Sequence, residues 1–148
     1  MPITPATPDD IPALCELLAL LFAQESEFAA DREAQIRGLT RIVGHADVGV
    51  VFVSKDAGRP VGMVSLLFSV STALGATVAM LEDMVVAPSH RGSQLGSQLL
   101  AHAVAHARAI GCKRITLLTD ADNVAAQRFY ARQGFVRSSM VALRLSLD

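Results

Sequence analysis

Leu81-Glu82-Asp83-Met84-Val85-Val86-Ala87-Pro88-Ser89-His90-Arg91-Gly92-Ser93-Gln94-Leu95-Gly96-Ser97 reads as a buried strand that runs into a glycine-containing turn and opens a helix. Leu81 to Ala87 are mostly β-favouring and apolar, and Pro88 has no N–H to give to a continuing ladder. Apolar positions recur at helical spacing from Leu95 onward. The first turn of a helix leaves backbone N–H groups unpartnered and carries about half a positive charge, so a phosphate fits there. Arg91 adds a full charge beside it.

Three kinds of phosphate ligand suit a strand, turn and helix. An ATP-type loop needs G-x-x-x-x-G-K-[ST], but Gly96 is followed by Ser97-Gln98 with no lysine. A dinucleotide fingerprint needs G-x-G-x-x-G, and only Gly92 and Gly96 are present. What remains, V-x-P-x-x-R-G-x-x-L-G, resembles the pyrophosphate loop of the GNAT family of N-acetyltransferases, which hold acetyl-coenzyme A. The resemblance implies that Arg91, Gly92, Ser93, Gln94, Leu95, Gly96 and Ser97 take the pyrophosphate. The usual form there is R-G-x-G-[IL]-G, and Gln94 replaces the middle glycine. Glycine at such a position permits positive φ or close approach of a ligand. The expectation is ordinary helical backbone at Gln94, with its side chain pointing away; if the ligand must instead touch the α-carbon, cofactor affinity falls.

A second signature follows. Asn123-Val124-Ala125-Ala126-Gln127-Arg128-Phe129-Tyr130-Ala131-Arg132-Gln133-Gly134-Phe135 resembles the N-x-x-A-x-x-F-Y-x-x-x-G-F segment of the same family. Together the two cover the chain from about Leu81 to Phe135. Asn123 and Tyr130 are seven apart, so both side chains face one groove, about 10 Å apart along a helix. Asn123 can offer its amide to a pantetheine-like arm, and the Tyr130 hydroxyl can serve the thioester sulfur. The resemblance implies direct attack of an amine on the acetyl carbonyl with coenzyme A leaving. A phenol with a pKa near 10 can give a proton to a thiolate with a pKa near 8.5, which makes Tyr130 the proposed acid. It also implies that unpaired N–H groups in a distorted Met84, Val85 and Val86 strand steady the oxyanion.

The attacking amine must lose a proton, which costs about 4–5 kcal/mol at pH 7 for a lysine-like pKa. Many relatives place a glutamate on the strand before Asn123, but Leu118 stands there. Glu82 and Asp83 remain as the base, Glu82 favoured and acting through water. Adjacent strand residues face opposite sides, so only one looks into the site unless a bulge intervenes.

The remaining chain bounds the answer. Its 148 residues suit one domain, 1–148, with a single core; 51% hydrophobic and 18% charged residues exclude a disordered or polyelectrolyte protein. Met1 to Val48 carry three basic and eight acidic residues, a balance of −5, while Arg91 to Asp148 carry eight basic and three acidic, or +5. One half suits a polyanion and the other a cation, the acidic Glu25, Ser26, Glu27 and Asp31 region included. Nucleic acid is disfavoured, because no basic cluster is interleaved with aromatics. The N-terminus lacks a secretory signal, and the uncharged run from Pro60 to Leu81 is broken by serines, threonines and a glycine, so the cytoplasm is expected and a membrane is not. Cys15 and Cys112 have no metal-ligand spacing. His102 and His106 stand four apart on a helix without the H-E-x-x-H glutamate, so no metal site is expected.

In order, the pattern predicts an edge strand over Ile3 to Ala6 and a helix opened by Thr7-Pro8-Asp9-Asp10, with Ile11, Leu14, Cys15, Leu18, Leu21 and Phe22 on one face. A second helix is expected over about 30–43, with Ile36, Leu39, Ile42 and Val43 inward and Gly44 ending it. Strands over Val48 to Lys55, Pro60 to Thr72 and Thr77 to Ala87 form an antiparallel meander. A helix from Leu95 to Ile110, capped by Gly111, leads to a parallel strand over Arg114 to Thr119. A helix follows from Val124 to Arg132, and a last long strand over Phe135 to Leu147. The fold class is therefore α/β in the α+β sense: a mixed, mostly antiparallel sheet flanked by helices. Apolar residues on both faces of Pro60 to Leu81 suggest a homodimer. Two further classes stay in view: an acyl-coenzyme A sensor without turnover, which Gln94 and Leu118 favour, and a nicotinamide-binding oxidoreductase, which the helix-free meander disfavours.

Overall fold

The computed structural model describes residues 1–23 and 31–147; Glu25, Ser26 and Glu27 lie outside them. By contact the chain divides into two compact units, Met1–Leu118 and Thr119–Asp148.

The first unit is a sheet in the order β1 (Ile3–Pro5), β2 (Gly49–Asp56), β3 (Arg59–Ser71), β4 (Ala76–Val86) and β5 (Ile115–Thr116). The first four strands are antiparallel neighbours, and β5 lies parallel to β4. The meander and the parallel crossover are as expected, but β5 is shorter, with Ala79 and Met80 of β4 facing Ile115 and Thr116. Helices α1 (Ile11–Phe22) and α2 (Arg32–Ile42) cover one face, where Leu14, Cys15, Leu18 and Leu39 pack with Val51, Val53, Met63 and Val85. Cys15 is thus a core thiol, and Cys15 and Cys112 are both free. Burial raises the pKa of each.

Before α1 a short 3-10 turn runs from Pro8 to Asp10. Asp10 is buried, accepts from the Thr7 N–H at 2.9 Å and pairs with the Lys55 ammonium at 2.9 Å. Burial pushes its pKa up, but the Thr7 N–H and Lys55 outweigh this and hold the carboxyl below its ordinary value. Helix α1 is in this way tied to β2. In α2 the inward face is turned from the expectation: Ile36 is 38% exposed while Gln35 is 8% exposed. Leu39 and Val43 do face inward, and Gly44 follows with φ 80°.

Helix α3 (Leu95–Ala109) covers the other face of the sheet. The Phe52 ring meets the His102 and His106 rings edge-on at centroid distances of 4.6 and 5.1 Å. The two histidines, His102 exposed and His106 half-buried, thus each rest one edge against an aromatic ring, and among the described residues no cluster suits a metal ion. At Gly62 a Cβ would stand 2.8 Å from Leu99 Cδ1 and 3.3 Å from Leu95 Cδ2, so β3 meets the start of α3 where it has no side chain. Among the described residues no helix is long and apolar enough to cross a membrane.

The second unit holds α4 (Val124–Arg132), ended by Gly134 at φ 99°. The expected strand over Phe135 to Leu147 is not formed: residues 135–147 have no strand, and Val136, Met140, Val141, Leu143, Leu145 and Leu147 are exposed. Alternation describes one face of a strand, but a strand exists only where a neighbour completes its ladder. Here the Met140 N–H is bonded locally, to the Ser138 hydroxyl at 3.0 Å.

Candidate functional site

The strand, turn and helix predicted over residues 81–97 are present. Strand β4 ends at Val86, a 3-10 turn occupies Pro88–His90, and α3 begins at Leu95. The first bond of α3 runs from the Gln98 N–H to the Gln94 carbonyl at 3.0 Å, and no side chain caps the helix. The N–H groups of Leu95 and Gly96 therefore lead the helix without a helical acceptor, and the macrodipole adds its positive end there. Gly92 has φ 80°, and a Cβ on it would meet nothing within 4 Å. Such a turn can take an oxyanion of a phosphate class.

Gln94 departs from the expected helical backbone. It sits at φ 65° and ψ 11°, in the left-handed region, as the residue just ahead of α3. The turn from β4 into α3 takes left-handed backbone twice, at Gly92 and at Gln94, and the second falls on a residue with a Cβ. The middle glycine of the family pattern has its physical reason in this backbone, and Gln94 bears a conformational cost.

Several bonds hold the turn. The Arg91 Nε donates to the Val86 carbonyl at 3.2 Å, folding that side chain back on the end of β4. The Ser93 hydroxyl donates to the His90 carbonyl. His90 Nε2 lies 2.9 Å from Asp56 Oδ2, and Ser89 Oγ lies 2.8 Å from His90 Nδ1. Asp56 ends β2, so this contact joins positions 34 apart in sequence that no spacing rule connects. A cavity of about 370 Å³ adjoins it, lined among others by Glu16, Leu17, Asp56, Arg59 and His90.

Upstream, β4 carries the anticipated irregularity. Met63 faces Val85 and Ser65 faces Glu82, so Asp83 and Met84 together oppose Val64. Asp83 has φ 53°, which marks a bulge at Asp83–Met84 rather than across Met84 to Val86; Val85 and Val86 stay in register with Met63 and Gly62. The extra residue lets Glu82 and Val85, three apart, share the face covered by α1 and α2. Glu82 is exposed and Asp83 partly covered.

In the second unit, Asn123 Oδ1 accepts from the Ala126 N–H at 3.1 Å, so the amide oxygen caps α4. Gln127 donates from its amide to the Asp120 and Ala121 carbonyls, closing the loop before the helix. The Tyr130 ring packs edge-on against Phe129 and Phe135 at 5.1 and 5.7 Å. Burial pushes its phenol up to about 12. Leu118, where the family's glutamate was sought, is exposed at the end of the first unit.

With this geometry in view, the chain belongs to the acetyltransferase (GNAT) family, whose profile matches residues 11–135. It is an acetyltransferase, and its relatives act on amines. The aminoalkylphosphonate N-acetyltransferase of Salmonella typhimurium is 30% identical over 90% of this chain and 83% of its own length. The glucosamine 6-phosphate N-acetyltransferase of Trypanosoma brucei brucei is 35% identical over 66% of this chain and 64% of its own. Among solved structures, an acetyltransferase of Trypanosoma brucei superposes with a TM-score of 0.74 at 28% identity, covering 99% of both chains.

Proposed function

We propose that residues 1–148 form one catalytic domain that moves an acetyl group from acetyl-coenzyme A to a primary amine of a small molecule or peptide. The observation that carries this reading is the uncapped start of α3, where the N–H groups of Leu95 and Gly96 and the helix dipole, entered through Arg91-Gly92-Ser93-Gln94, suit a pyrophosphate. Arg91 and Ser97 complete that contact, and Asn123 meets the pantetheine arm through its amide nitrogen while its oxygen caps α4.

Transfer is direct. The ammonium gives up one proton before attack, with Glu82 taking it through water and Asp83 the second choice; the N–H groups of the β4 bulge, with Met84, Val85 and Val86, steady the oxyanion. The C–N bond forms and the C–S bond breaks; the nitrogen sheds a second proton, which the departing thiolate takes up through solvent, and keeps the third as the amide N–H. Tyr130 hydrogen-bonds the departing sulfur. With its pKa at about 12, a complete proton transfer to a thiolate of pKa near 8.5 is uphill by about 5 kcal/mol, so Tyr130 acts mainly as a hydrogen-bond donor. The names of both relatives join an amine to a phosphorus oxyacid, which favours small anionic amines over peptides. The protein works in the cytoplasm, and exposed Val70 and Leu74 at the β3–β4 end support pairing as a homodimer.

The experiment is thioester consumption with a panel of amines that includes aminoalkylphosphonates and amino sugar phosphates. Amine-dependent release of coenzyme A, reduced in Tyr130→Phe with binding retained, supports the reading. A second reading, an acyl-coenzyme A sensor, is favoured by the left-handed Gln94; binding without turnover on any amine would select it.

A further inference from the structure

We propose that His90 is a positioning residue for the pyrophosphate turn, set by Asp56 on the neighbouring hairpin. The inference rests on the acetyl-coenzyme A reading above. His90 is held at four of its atoms. Its N–H donates to the Ala87 carbonyl at 2.9 Å, and its carbonyl accepts from the Ser93 hydroxyl. Its Nδ1 faces Ser89 Oγ at 2.8 Å and its Nε2 faces Asp56 Oδ2 at 2.9 Å. A carboxylate oxygen only accepts, so Nε2–H donates to Asp56, and Nδ1 shares the second hydrogen bond with the Ser89 hydroxyl.

The side chain is only 19% exposed although the turn around it is open. Ser93 is one residue from Gln94, and Arg91 follows His90 directly, so the bonds that centre on His90 reach both sides of Gly92. Asp56 belongs to the β2–β3 hairpin, whose strands are locked in the sheet. The tie therefore transmits the position of the hairpin to a turn whose other side-chain bonds, from Arg91 to Val86 and from Ser93 to His90, are local. Exposed pairs contribute little to global stability, but ordering a binding turn before the ligand arrives removes part of the entropy cost of binding.

Calorimetric titration of the full chain with coenzyme A and with pantetheine, which lacks the pyrophosphate, tests this. His90→Ala and Asp56→Ala should each weaken coenzyme A by about 3- to 10-fold. The double variant should be no weaker than His90→Ala alone, and Asp56→Asn, whose amide oxygen still accepts from Nε2–H, should restore wild-type affinity. Pantetheine affinity should be the same throughout. Asp56→Ala, an exposed change, carries the test if His90→Ala does not fold. Wild-type affinity in the alanine variants, additive losses, or equal losses for pantetheine overturn the proposal. A wild-type chain that binds no coenzyme A overturns the acetyl-coenzyme A reading itself.

Discussion

Gly92 and Gln94, two residues apart in the turn that enters α3, both hold left-handed backbone, at φ 80° and φ 65°. For glycine this conformation is nearly free, whereas a residue with a Cβ meets the following carbonyl at a cost of roughly 1–2 kcal/mol. Gln94→Gly should therefore stabilise the fold by about 1 kcal/mol, less what glycine gains in the unfolded chain. The check is the denaturant midpoint at unchanged slope; Gln94→Val should move the midpoint the other way.

Tyr130 is the chain's one tyrosine, so its ionisation can be followed by absorbance without interference. Its pKa in the fold is raised to about 12 by burial. A raised pKa means that the neutral phenol favours the fold, fully below the unfolded value near 10, and that this contribution is lost as pH rises from about 10 through 12. Tyrosinate should appear near pH 12 in the native protein and near 10 in denaturant. Activity should show no loss attributable to the phenol between pH 8 and 10.

Gly62 lets the sheet reach α3. A methyl there would crowd Leu99 at 2.8 Å and Leu95 at 3.3 Å, both buried. Gly62→Ala should cost about 1–3 kcal/mol and displace the first turn of α3, lowering coenzyme A affinity as well. Leu99→Ala also destabilises by cavity formation, but the double variant should lose less than the two losses added, because the methyl enters the space. Thermal or chemical denaturation of the three variants decides it.

The antiparallel meander, the crossover helix and the turn ahead of α3 were legible because each is written in local periodicity and in residues with restricted dihedrals, such as Pro88, Gly92 and Gly111. The left-handed Gln94 was not, since a glutamine carries no sign of the dihedral that its neighbours impose. The bulge at Asp83–Met84 depends on the register against Met63 and Ser65, which only the folded sheet defines. For the same reason the contact of His90 with Asp56 has no trace in spacing. Gln35 takes the inward place expected for Ile36, because helix rotation is set by what packs against it. Residues 135–147 show the limit of alternation, which names a face without supplying a neighbour.

Whether the amides opening α3 hold the pyrophosphate is decided by following backbone amide resonances during titration with coenzyme A. The largest shifts should fall on Gly92, Ser93, Leu95 and Gly96 and be absent with pantetheine. Saturable binding that leaves those four amides unmoved would contradict it.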